Sequence, residues 1–156
     1  MKKTLGILAL IAMSCGAQDT LNEYIVFKET SLSSSTEKVT IQQPSSPVMT
    51  IVGEVASVYC SVACNATVTQ LGTAATATTL TTIPLNGGQA SSAVAFSGSN
   101  SSGGTVLNTI AIGAGVTQTI DLSRLYIGKG SGSNFSIGTD SITGTARITV
   151  QWREVR

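Results

Sequence analysis

Two cysteines four positions apart, Cys60 and Cys64, enclose Ser61-Val62-Ala63 and offer three chemistries: a disulfide, a redox pair or part of a metal site. A redox pair favours C-x-x-C spacing, and a metal site needs two further ligands. A bridge across the neck of a tight turn fits the spacing best. The loop it closes is so short that chain entropy gives it only about 2 kcal/mol.

Other reactive groups are scarce. The chain has no histidine, the usual base of Ser-His-Asp and Cys-His hydrolases and the commonest zinc and copper ligand. From Val55 through Ile120 there is no charged side chain at all, so the middle of the chain brings no carboxylate, ammonium or guanidinium to a site. In the domain expected from Val48 onward the carboxylates are Glu54, Asp121, Asp140 and Glu154, and a glycosidase would need two of them facing across a cleft. Asp121 and Glu154 fall on strand surfaces or ends, however, and Asp140 lies in a Gly-Thr-Asp-Ser turn. Calcium at Asp140 lacks the regular Asp/Asn spacing of calcium loops. Gly128-Lys129-Gly130-Ser131 has Ser123 where a phosphate loop needs its first glycine, and no helical pattern follows. A Ser-Lys dyad on Lys129 lacks the desolvating surroundings that would make lysine a base. No catalytic residue, cofactor-binding residue or metal ligand is assigned, and a non-enzymatic protein is expected.

The N-terminus points to export. Lys2 and Lys3 precede an apolar run from Leu5 to Met13, too short to span a bilayer, and small residues follow from Ser14 to Ala17. Cleavage after Ala17 would remove Cys15 and leave Gln18 first. The competing expectation is lipidation at Cys15, whose neighbours Ser14 and Gly16 suit it, although Ala12 stands where leucine is usual. An uncleaved anchor is the third reading. No other segment is apolar enough to anchor the chain, so the mature form is expected to lack a transmembrane segment and to be extracellular, cell-surface or periplasmic. Disulfides persist in those compartments. The formal charge of +1 includes Lys2 and Lys3; the mature chain is slightly acidic with no basic run, so nucleic acid is not an expected partner.

The elements that would position these residues read as strands. After the signal, about 140 residues suffice for one domain that buries around two-thirds of its unfolded surface. Residues 18–47 read as an N-terminal arm with one or two strands, Tyr24–Phe27 and Lys38–Gln42, ending at Pro44 and Pro47. From Val48 to the C-terminus, short β-branched runs alternate with Gly, Ser and Asn: Val55–Cys60, Cys64–Leu71, Thr76–Ile83, Ala93–Phe96, Thr105–Ile112, Val116–Leu122, Asn134–Ile137 and Thr145–Val155. No window shows sustained helical spacing. Eight or more short strands predict an all-β antiparallel sandwich, jelly-roll-like or immunoglobulin-like.

Ala146, Ile148, Val150 and Trp152 alternate with polar residues and predict one buried face, with Trp152 a core anchor. Val116, Gln118, Ile120 and Leu122 form a second such series, in which a buried Gln118 needs partners or an edge. Gly113-Ala114-Gly115 reads as a hairpin connector. The Gly/Ser-rich loops Ser97–Gly104 and Gly128–Ser133 are where loop-borne binding would sit. Tyr59, Phe96, Tyr126 and Phe135 are dispersed, and the acceptor-like patterns at Asn65, Asn100 and Asn134 are chance matches in a bacterial chain.

The tract Tyr59-Cys60-Ser61-Val62-Ala63-Cys64 through Ala74-Ala75-Thr76-Ala77-Thr78, with the closing Ser141-Ile142-Thr143-Gly144-Thr145, resembles exported or phage-associated β-sandwich proteins. That resemblance implies a particle or surface component and transfers no catalytic residue. A surface of Thr, Ser, Gly, Asn and Ala with little charge suits a protein packed against neighbours. The expectation is an exported structural or surface-display module that self-associates as a homo-oligomer or coats a cell, filament or particle. The alternatives are an adhesive module recognising a glycan or other surface partner, and a phage-associated structural protein. The Tyr24–Phe27 strand either pairs with an adjacent copy or completes its own sheet.

Overall fold

A computed structural model describes residues 22–44, 49–71, 78–86, 89–98, 103–128 and 133–155. The segment read as a signal, with Cys15, lies outside them, as do Asn100, Lys129 and the middles of the two Gly/Ser-rich loops.

The described residues form twelve strands: β1 (Asn22–Ser33), β2 (Lys38–Gln42), β3 (Thr50–Cys60), β4 (Cys64–Gln70), β5 (Thr78–Leu80), β6 (Ile83–Pro84), β7 (Val94–Gly98), β8 (Thr105–Ile112), β9 (Val116–Asp121), β10 (Tyr126–Ile127), β11 (Asn134–Thr139) and β12 (Thr143–Val155). They make two antiparallel sheets, the sandwich that the sequence predicts. One sheet runs β6-β1-β12-β3, with β9 and β10 end to end along the far side of β3. The other runs β5-β7-β2-β11-β4-β8.

Without the excursion that carries β5, β6 and β7, the connectivity simplifies. β1 pairs with β12, β2 with β11, β3 with β9 and β4 with β8, and these pairs fall alternately in the two sheets. A long hairpin rolled up in this way is a jelly roll, which decides between the two connectivities expected. The hairpin keeps one register as far as Val68. Asn22 lies opposite Glu154, Lys38 opposite Gly138, Val55 opposite Asp121 and Cys64 opposite Ile112, so that the paired residue numbers share one total until β4 and β8 shift by one residue after Val68. The excursion crosses to the other edge of both sheets, where β6 pairs with β1 and β7 with β2.

Of the two readings of the arm, the structure has the one in which it completes its own sheet. β1 lies between β12 and β6, and β2 between β11 and β7, so among the described residues both strands of the arm belong to the sandwich. Alternation explains the core that results. Ala146, Ile148, Val150 and Trp152 are all buried, and the Trp152 ring stacks on Tyr24 with centroids 5.8 Å apart. Val39, Ile41, Val68, Phe135 and Ile137 face them from the other sheet's strands.

The strand crossings sort into two ends. At the narrow end the chain changes sheet through the short corners 34–37, 61–63, 113–115 and 140–142; at the wide end it does so through 43–49 and 128–133, and there too it leaves β4 for the excursion that returns to β8 in the same sheet. Gly113–Gly115 therefore joins edge strands of different sheets, and not a hairpin within one. Gly144 packs the narrow end: its φ is +81°, and a Cβ there would overlap Ser61 Oγ and Val62 Cγ2. Gly53 does the same where β9 gives way to β10. Its N–H donates to the Leu125 carbonyl at 2.9 Å, and an added Cβ would sit 2.9 Å from Leu122 Cβ.

Candidate functional site

Cys60 and Cys64 are bridged, with Cα atoms 6.4 Å apart, and both are buried. Because β3 and β4 belong to different sheets, the bridge pins a corner of the roll rather than the neck of a hairpin. The same corner is held non-covalently. Asp140 accepts from the backbone N–H and the side-chain amide of Asn65, both at 2.6 Å, and Thr145 N–H donates to Ser61 Oγ at 2.7 Å.

Glu154, Asp121 and Glu54 are engaged as well. Glu154 is buried and accepts from Ser91 Oγ at 2.5 Å, Ser92 N–H at 3.1 Å and Ala93 N–H at 2.9 Å, fastening the excursion to the end of β12. Asp121 accepts from Ser123 N–H at 2.8 Å. Glu54 is the residue skipped in the register between β3 and β12, and it pairs with Arg153 at 3.6 Å. Register brings Glu54 and Asp121 to one edge, since Asp121 lies opposite Val55. Asp140 and Glu154 are kept at opposite ends of β12. Hydrogen bonds set the two resolved acidities. The Asn65 backbone N–H holds Asp140 below the usual aspartate range, and the Ser123 backbone N–H does so for Asp121, helped by the Ser123 hydroxyl and Arg124.

Among the described residues no three His, Cys, Asp or Glu side chains gather as metal ligands, and no helix is long and apolar enough to cross a membrane. A hollow of about 10 Å³ lined by Asn22, Glu23, Tyr24, Pro84, Asn86 and Gln89 has room for about one water molecule and is far below the size of an ordinary ligand pocket. The aromatics stay dispersed. Phe135 is core, Tyr126 is exposed on β10, and Tyr59 lies beneath Arg147, whose guanidinium sits 5.1 Å from the ring centroid. Asn134 is buried in β11 and so cannot carry a glycan.

The feature that stands apart is β8 with the adjoining β9. The bounds of β8 match the sequence expectation, but seven of its eight residues are exposed or half-exposed, Val106 at 59% and Leu107 at 48%. In β9, Ile120 is buried and Gln118 half-buried beside an edge, but Val116, expected on the buried face, is 47% exposed. Alternation assigns residues to a face; it does not say whether the facing sheet extends far enough to cover it. Here the two edge strands overhang the core. Val62 and Ile142 at the adjoining narrow end are also exposed, and the whole of β8 and all of β9 before Asp121 lie within the charge-free stretch.

No protein family, curated protein or solved structure matched the chain.

Proposed function

We propose that this chain is an exported, non-enzymatic structural or surface-display module that assembles with copies of itself on a cell, filament or particle. The observation that carries this reading is the uncharged, partly apolar rim of β8 and β9, where Val106, Leu107 and Val116 face solvent on strands with no charge between Val55 and Ile120. Exposed apolar side chains on an uncharged surface favour contact with a partner. Jelly rolls are used in capsids and lectins, an analogy at the level of fold alone. The bridged Cys60–Cys64 corner supports export, and the structural engagement of Glu54, Asp121, Asp140 and Glu154 supports a non-enzymatic role.

The test is light scattering on the secreted protein over a wide concentration range. Oligomers without added ligand are expected; a monomer at every concentration would overturn the reading. A second reading, adhesion to a glycan, has one observation in its favour. The outer face of the β1–β12–β3 sheet carries exposed Phe27 beside the Glu29–Arg147 ion pair. It predicts a monomer whose melting temperature rises with a member of a glycan panel.

A further inference from the structure

The four edges of the two sheets are protected unequally. β6 has two residues and ends in Pro84, and β5 has three residues. The β9–β10 edge is interrupted by the turn from Leu122 to Leu125 and carries Asp121 and Arg124. Shortness, proline, interruption and charge are the devices by which sheets refuse further strands. β8 has eight residues, no proline and no charge. Its one irregularity is near its start, where Leu107 stands between the Asn108–Val68 and Val106–Thr69 pairs, and from Asn108 to Ile112 its ladder to β4 is regular. The outer side of that stretch ends the sheet.

We propose, resting on the assembly reading above, that β8 pairs antiparallel with β8 of a second copy about a two-fold axis near the Asn108–Ile112 stretch, joining two sheets into one. The occupant follows from two features. An added strand must satisfy the β8 backbone, and a two-fold contact brings the residues near its axis against their own counterparts, so that any charge there would meet a like charge. The rim is uncharged from Val55 through Ile120 and meets its copy without that cost. β1 beyond Ile25 is also unpaired on its β6 side but carries Lys28 and Glu29, so β8 is the uncharged open edge among the described residues and its pairing closes on itself. It gives a dimer, whereas a filament needs two different complementary edges.

Edge-blocking variants test this on the secreted protein. Thr109 and Ala111 are exposed on β8, so Thr109→Lys and Ala111→Lys each place two ammonium groups across the axis. Each is expected to weaken dimerisation at least about tenfold. Ser31→Lys, the same charge change on an exposed site of β1, should leave it unchanged. Single cysteines stepped through Asn108, Thr109 and Ala111 should form interchain disulfides under mild oxidation, most efficiently at one position and less on either side. If the protein dimerises but neither lysine variant weakens it and no stepped cysteine cross-links, the edge pairing is wrong and assembly survives. Larger polymers in place of dimers would refute the closed two-fold contact, and a wild-type monomer at all concentrations would refute both proposals.

Discussion

The two ends of the roll solve the same problem in different ways. At the narrow end four corners, none longer than the 34–37 turn, are locked by a disulfide, by Asp140 on Asn65 and by the close seating of Gly144 on Ser61. At the wide end the crossings are longer, and two buried polar side chains do the holding. Gln43 donates its amide to the carbonyls of Met49, Ile127 and Gly128, and Glu154 gathers Ser91, Ser92 and Ala93. Short corners leave few backbone groups to satisfy, so local contacts suffice; long crossings are tied down by side chains from strands remote in sequence.

Breaking the wide end should cost most. Glu154→Ala strands the backbone donors of part-buried Ser92 and buried Ala93, while the Ser91 hydroxyl keeps the Ala93 carbonyl, and a loss of about 3 kcal/mol is expected in urea denaturation at fixed protein concentration. If the loss is no larger than that of a surface substitution, the excursion is not held as described. At the narrow end, Cys60→Ala with Cys64→Ala should cost about 2 kcal/mol, because the bridged loop is so short. An equal or greater loss than Glu154→Ala would reverse the ranking of the two ends.

Acid should act on the polar locks of the narrow end and of the β9 turn. The folded-state pKa values of Asp140 and Asp121 lie below their unfolded ones. Their contribution is therefore complete above about pH 3.9, the unfolded value, and is lost as pH falls through the folded-state values. Asp140→Asn should flatten the acid limb of a stability–pH profile, and an unchanged limb would show that the Asn65 contact contributes nothing. Smallest of all, Glu29→Gln should shift stability by less than about 0.5 kcal/mol, since both partners of its ion pair with Arg147 are about half exposed.

Much of the strand content is legible in the sequence because alternation is a local property. β2 and β8 carry their expected limits, and the buried series from Ala146 to Trp152 follows from spacing alone. Ser31 to Ser33 lie beyond the strand expected at Tyr24–Phe27, yet they pair with Thr143 to Thr145, because a neighbouring strand overrides weak local preference. The Cys60–Cys64 pairing needs no structure, but its place at a corner between sheets does, since sequence does not assign strands to sheets. The rolled register stays hidden because the excursion interrupts the hairpin between β4 and β8. Glu154 gives no signal at all: its partner Ser91 is 63 positions away, and one carboxylate near a strand end looks like any other.

The regular β1–β12 register also decides how the molecule responds to force. Asn22 and Glu154 are neighbours at the wide end, on adjacent antiparallel strands. Tension applied through both would peel β1 from β12 one residue pair at a time, whereas tension between either of them and the narrow end would strain the whole ladder in parallel. A molecule tethered at one terminus and gripped at its disulfide corner is loaded along its stronger direction.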